Sequence, residues 1–339
     1  MRALRPHVMR AGLQAGLGMA RAQPVVVAAG DPGIDWTSRS GSVANSWYGV
    51  TWSPALALFV AVAKSGTGDR VMTSPDGVTW TTRTSAADNN WGAIAWAPEI
   101  SLFVAVATSG VGNRVMTSPD GVTWTIRTSS ADNSWESVAW SPALTLFVAV
   151  SSSGTGTRVM SSPDGITWTT RTSAANNQWE SVAWSPSLAL FAAVARSGVG
   201  NRVMTSPDGI NWTIRTSAAD NAWRSVAWSP ALALFVAVAS TGTGNRVMTS
   251  PDGVTWTART SAADNSWYSV AWAPEISLFV AVALSGTGNR VMTSPDGITW
   301  TARTSASDAF WESVAWSPAL LTFCAVADDG VLAAVMTSP

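Results

Sequence analysis

Charge is scarce in this sequence, and two residue types that carry much of enzyme chemistry are nearly missing. Charged residues make up 12% of the 339-residue chain, against roughly 25% in an ordinary soluble domain. His7 is the only histidine and Cys324 the only cysteine. The body of the chain therefore has no His-dependent triad, no imidazole base and no His metal ligand. Zinc and copper sites of the usual types are left without ligands, so no metal and no cofactor is expected. A lone cysteine also excludes an intrachain disulfide. No apolar run approaches the roughly 20 residues that a membrane helix needs, although hydrophobic residues reach 47%. Low charge without such runs implies many strands covered on both faces, hence an all-β, layered protein.

Basic charge is unevenly placed. Arg2, Arg5, Arg10 and Arg21 all precede the first acidic residue, Asp31. Without residues 1–22 the chain carries 16 basic and 21 acidic side chains. That body lacks the basic stripe expected of a nucleic-acid binder. Residues 1–22 read as a leader or disordered tail, and residues 23–339 as the folded body. Ala20-Arg21-Ala22 after a basic start resembles a signal-peptidase site, and its cleavage would mean export. The Arg-rich, acid-free composition equally suits an organellar presequence or a mis-called start, so the compartment stays open.

Tryptophan organises the rest. Trp47, Trp91, Trp135, Trp179, Trp223, Trp267 and Trp311 recur every 44 residues, and a second series, Trp52 to Trp316, keeps the same step. A third runs from Trp80 to Trp300, and its next member would fall at 344, past the last residue. The missing member is Trp36, within a worn copy of the same segment at the other end of the chain. Three tryptophans in each of seven repeats account for all 21. The chain starts with the last strand of a repeat and stops just before that strand is due. A ring with an interlocked seam explains this offset, and closure removes exposed strand edges.

One repeat reads as four short strands: Trp91–Trp96, Leu102–Ala107, Arg114–Ser118 and Val122–Arg127, separated by Pro and Gly turns. Four strands in 44 residues is the size of a propeller blade. The prediction is a seven-bladed β-propeller closed by its N-terminal strand, with each tryptophan burying ~150–250 Å² between blades. Both Val25-Val26-Val27 and Val335 fit the third strand of the last blade. In the outer hairpin, a two-residue Asp76-Gly77 loop would set Arg70 against Arg83, an unfavourable like-charge pair. Opening the turn to Ser74-Pro75-Asp76-Gly77 sets Arg70 against Thr81, and that register is expected. Asn211-Trp212-Thr213 forms a glycosylation sequon that this reading places inside a strand. Cys324 occupies a slot held by valine in most repeats and is expected to be a buried small hydrophobe.

The segment Ser74-Pro75-Asp76-Gly77-Val78-Thr79-Trp80 and its copies at Asp120, Asp164, Asp208, Asp252 and Asp296 resemble the Asp-box (BNR) repeat of sialidase-like propellers. One residue between Asp and Gly is missing relative to that motif. The resemblance covers nearly the whole body and implies that Asp76, Asp120, Asp164, Asp208, Asp252 and Asp296 are structural turn residues, remote from any active site. Sialidases also carry an arginine triad, a Tyr/Glu nucleophile pair, an acid Asp and a Phe-Arg-Ile-Pro stretch. That stretch is absent, and the arginines from Arg70 to Arg290 and from Arg83 to Arg303 repeat like lattice elements.

Repeats this alike can be compared position by position. The slot after the first tryptophan holds Tyr48, Gly92, Glu136, Glu180, Arg224, Tyr268 and Glu312. The end of the second strand holds Lys64, Thr108, Ser152, Arg196, Ser240, Leu284 and Asp328, and the slot before the first tryptophan holds serine in three repeats and Phe310 in the last. Strand direction puts these slots on one rim, around the channel mouth, and the Pro-Asp-Gly turns on the other. Tyr48, Lys64, Glu136, Glu180, Arg196, Arg224, Tyr268 and Glu312 are therefore the candidate partner-binding residues, with loops such as Asp88-Asn89 and Asp264-Asn265 beside them. Glu99 and Glu275 vary on the opposite rim. The expected function is a non-enzymatic, monomeric scaffold that binds a protein through this rim. A multivalent glycan-binding propeller is the alternative, and a sialidase-like glycoside hydrolase is the third reading.

Overall fold

The computed structural model describes residues 30–339. They form seven four-stranded antiparallel sheets. Blade 1 shows the pattern: an inner strand Trp47–Ser53, then Leu58–Ala63, Val71–Ser74 and the outer Thr81–Arg83. The inner strand mixes buried and partly exposed positions, whereas Leu58–Ala63 is a continuous apolar run because both of its faces are covered. Among the described residues the only helix is one 3₁₀ turn, Pro98–Ile100, and no helix is long and apolar enough to cross a membrane.

Blade 7 is built from both ends of the chain. Trp311–Ser317, Thr322–Ala327 and Val335–Ser338 supply three strands, and Thr37–Arg39 pairs antiparallel with Val335–Ser338 as the fourth. Val335 therefore fills the third strand, while Val25–Val27 and the leader residues 1–22 lie outside the described residues. The seam runs through a turn. Ser338 Oγ accepts the Gly33 N–H at 2.7 Å, as Ser74 Oγ accepts the Gly77 N–H at 2.8 Å inside one continuous segment. Arg39 Nε donates to Thr337 Oγ1, as Arg83 Nε does to Thr73 Oγ1. One turn has thus been divided between the two termini and rebuilt by hydrogen bonds.

The tryptophan series have different work. The Trp47 series is fully buried, and its indole N–H groups donate to a carbonyl four residues back, as Trp91 does to Ala87 O at 3.0 Å. The Trp52 series packs against the phenylalanine of the second strand, with Trp52 and Phe59 centroids 4.7 Å apart at 62°. Each core is shared between neighbours: Val60, Val62 and Val71 of blade 1 join Trp91, Trp96, Phe103 and Met116 of blade 2. Cys324 sits fully buried in the core between blades 7 and 1, and burial pushes its thiol pKa well up.

The outer hairpin corrects the sequence reading. Val71 faces Arg83 and Thr73 faces Thr81, so Arg70 does not lie against Thr81. The turn is wide, as expected, but centred on Gly77 rather than before it. Asp76 Oδ1 accepts the N–H groups of Val78 and Thr79 at 2.8 and 2.7 Å, and Ser74 donates to it at 3.0 Å. Gly77 takes the left-handed conformation, φ +74°. These bonds draw Val78, Thr79 and Trp80 into the turn, which leaves the outer strand only three residues. The like charges separate anyway, because Arg70 turns back to donate to Gly66 O and Lys64 O at 2.9 Å each. Asn211 likewise lies in the turn, not in a strand, and its amide donates to Asp208 Oδ2 at 2.8 Å.

Candidate functional site at the channel mouth

The inner strand of every blade carries a one-residue bulge, visible as a register shift between Trp47 and Gly49 and repeated in the other six blades. The bulged residue is the slot after the first tryptophan. It has no cross-strand partner, and a bulge re-aims its side chain. Here the seven bulged residues surround the axis. Tyr48, Lys64, Gly92, Glu136, Glu180, Arg196, Arg224, Tyr268 and Glu312 line a cavity of about 270 Å³ at the channel mouth. All eight residues singled out by comparing repeats are among them.

Beneath this ring lies a second one. Ser137, Ser181, Ser225, Ser269 and Ser313 point into the channel, and each hydroxyl accepts a backbone N–H from the next blade, as Ser137 does from Val182 at 3.2 Å. Gly49 and Ala93 occupy the remaining two positions. A search for variation passes over these serines because they repeat.

The mouth is electrostatically lopsided. On blades 4 and 5, Glu180 accepts from Arg224 Nη1 at 3.0 Å, while Arg196 Nε lies 2.8 Å from the other carboxylate oxygen at an angle too bent for a hydrogen bond. Burial, reinforced by the nearby Glu136, raises the Glu180 pKa against the pull of the two arginines. Glu136 accepts from Ser152 Oγ at 2.7 Å. Arg224 also stacks on Tyr268, 4.6 Å from the ring centroid, and donates to Ser240. Lys64 lies 3.6 Å over the Tyr48 ring and leans across Gly92, whose missing side chain leaves that space open. The Tyr48 hydroxyl donates to Asp328 Oδ2. Burial and that acceptor push the Tyr48 pKa up, and burial, partly offset by Arg224, raises that of Tyr268.

Glu312 stands apart. It accepts no hydrogen bond and has no ion-pair partner among the described residues. Burial pushes its carboxyl pKa up to about 8, with Lys64 opposing the shift and Asp328 adding to it. A half-buried carboxyl without a protein donor favours its protonated form.

The other predicted elements have structural occupations. In the six Ser-Pro-Asp-Gly turns, burial alone would raise each aspartate, but the N–H groups at the end of the turn and the serine hydroxyl outweigh it, holding Asp76, Asp120, Asp164, Asp252 and Asp296 low and Asp208 at about 2. The loops expected beside the site are tied down as well. Asp88 accepts from Gly68 N, and the buried Asn89 donates to Asn113 O; Asp264 and Asn265 repeat both bonds. Among the described residues no cluster of His, Cys, Asp and Glu is arranged to hold a metal.

No family model and no curated protein matches the sequence. The fold has many solved counterparts. A streptogramin B lyase structure superposes with a TM-score of 0.74 at 7% identity, covering 90% of this chain and 97% of the other. YCF48 bound to a D1 peptide gives 0.66 at 14% identity, covering 91% and 98%. A Niastella koreensis GH74 enzyme gives 0.69 at 14%, covering 89% of this chain and 53% of the larger protein. With 1313 matching chains, a ring of this kind is too widely shared to specify one activity, and what these likenesses show is the seven-bladed propeller itself.

Proposed function

We propose that this chain is a non-enzymatic binding propeller that receives a protein partner on the rim around the channel mouth, with the axial cavity as its recognition centre. One observation carries the reading. Structurally equivalent bulges place six side chains and Gly92 around the axis, and there the repeats differ in charge and size while their frameworks match. A cavity of about 270 Å³ lies below the roughly 300–1,000 Å³ of a drug-sized ligand site and suits one side chain of a partner resting on the rim. The peptide-bound YCF48 structure lends this reading a precedent in the same architecture.

The bonding of the Ser-Pro-Asp-Gly turns supports kinship with Asp-box propellers. The alternatives fare less well. A multivalent lectin needs equivalent sites between blades, and the Asp and Asn side chains that could form them are occupied by the lattice. A hydrolase finds a general-acid candidate in Glu312, protonated at neutral pH. It lacks a free partner carboxylate, since Glu180 is held by two arginines and Glu136 by Ser152.

Joint replacement of Tyr48, Glu136, Arg224 and Tyr268 by alanine tests the reading. The variant is expected to keep its β-sheet circular dichroism and most of its thermal stability while losing capture of its partner from the native source. Capture at the wild-type level would remove the mouth from the function.

A further inference from the structure

Blade 7 departs from the repeat at several linked places. In blades 1 to 6 the loop after the second strand contains Gly-x-Gly and ends in the arginine series, Arg70 to Arg290; in blade 7 it reads Asp328-Asp329-Gly330-Val331-Leu332-Ala333-Ala334. Ala334 replaces the arginine, and Ala309 replaces the asparagine that binds a neighbouring carbonyl in the other blades. Phe310 stands where the other repeats hold Ser, Asn, Gln or Ala. Its ring is 50% exposed although Arg290 supports it from 5.5 Å, and Val331 and Leu332 are 47% and 54% exposed. The Phe310 N–H donates to Asp329 Oδ1 at 3.0 Å, which holds the aromatic beside the acidic loop. Drift can scatter exposed apolar residues singly. Here three of them gather on blade 7, two in the loop whose Asp329 holds Phe310.

Carboxylates outnumber cations at that corner once Glu312 ionises. The cavity lining and Asp328 together hold four carboxyl groups against three cations. Both arginines are engaged with Glu180 and Lys64 with the Tyr48 ring. On blade 7, Asp328 has one donor, the Tyr48 hydroxyl, and Glu312 has none. An anion would meet these carboxyls first, whereas a cation would supply the missing partner.

We infer that blade 7 is the docking edge of the rim, and that it takes a basic segment of a partner protein. A lysine or arginine side chain of that segment enters the mouth between Glu312 and Asp328, and its apolar neighbours cover Phe310, Val331 and Leu332. This rests on the binding-propeller reading and adds the chemistry of the partner. An aromatic anchor beside a paired charge is the composition of an interface hot spot.

The protonation of Glu312 gives a readout that surface contact alone would not move. Facing it are Tyr48 and Lys64 of blade 1, Glu180 of blade 4, Arg224 of blade 5, Tyr268 of blade 6 and Asp328 of its own blade. Burial holds it near 8 in the free protein, so the group carries a proton at pH 7. A cationic side chain favours the ionised form, so binding releases that proton. Affinity then rises with pH through the free-state value, by about tenfold between pH 7 and 9 for an arginine peptide, whose own charge is constant there.

The test uses the full chain and a labelled pool of short peptides bearing one arginine beside leucine, with a matched pool bearing glutamate instead. Arginine peptides are expected to bind, more tightly at pH 9 than at pH 7, and glutamate peptides are not. E312Q should weaken binding at least tenfold and abolish the pH dependence, and F310S should weaken it several-fold with the pH dependence intact. Binding of both pools alike, binding of neither, or an E312Q variant that binds as wild type overturns the proposal. If E312Q also leaves capture of the native partner intact while the fourfold mouth variant abolishes it, the blade 7 assignment fails and the rim assignment stands.

Discussion

The indole N–H groups divide the tryptophans into satisfied and unsatisfied sets. In the Trp52 series, Trp140 and Trp316 donate to Glu99 Oε2 and Glu275 Oε2 of the preceding blade at 2.6 Å each. Trp52, Trp96, Trp184, Trp228 and Trp272 have buried N–H groups with no acceptor. The slot held by Glu99 and Glu275 is Ala55, Ala143, Ser187, Ala231 or Ala319 in the blades that precede those five. The two glutamates, visible in the sequence only as variation on the lower rim, are thus clamps between blades. E99A is expected to cost about 1–3 kcal/mol, the range for a hydrogen bond to a charged acceptor whose loss strands a buried donor. A231E should add the missing acceptor to Trp272 and raise stability by about 1 kcal/mol. Urea unfolding of both variants checks the pair, and an A231E variant no more stable than wild type would show that the Trp272 donor is out of reach.

At the scale of the element, the inner strand links architecture to site. Its bulge aims one side chain at the mouth, and the next residue, serine in blades 3 to 7, bonds to the backbone of the following blade. Blades 1 and 2 lack that serine. Gly49 is a tight place for it, since a Cβ there would sit 3.2 Å from Ala93 Cα and Gly92 O. Ala93 already carries a Cβ, so A93S is expected to gain a bond to the Val138 N–H worth about 1 kcal/mol, read as a higher unfolding midpoint. The periodic residues made the inner and second strands legible. The outer hairpin was misread because its register depends on which N–H groups Asp76 and Ser74 capture, a choice settled by bond geometry rather than by the Pro-Asp-Gly pattern.

For the whole molecule, closure is the property on which the rim depends. The N-terminal segment contributes Thr37–Arg39 to the sheet, Gly33 to the divided turn and Trp36 to the packing on Phe323, with ring centroids 6.3 Å apart. Removing residues 23–40 opens blade 7 along one edge and exposes the core shared with its neighbour. The expected result is a thermal midpoint lower by on the order of 10 °C, as for a loss of several kcal/mol, together with a larger hydrodynamic radius. An unchanged midpoint and radius would mean that the ring does not need its clasp.

The number of blades, the strands within each, the seam between the termini and the variable slots were determined by the sequence alone, because apolar periodicity and a repeat of fixed length both follow from burying one face of every strand. The convergence of Tyr48, Lys64, Glu136, Glu180, Arg196, Arg224, Tyr268 and Glu312 was readable only as a shared rim. Which of these charges are neutralised was decided by the tertiary structure. Glu136, Glu180 and Glu312 occupy the same slot of nearly identical repeats, yet one is bound by serine, one by two arginines and one by nothing. A local sequence cannot distinguish them, because the partners come from other strands or other blades and meet only when the ring closes.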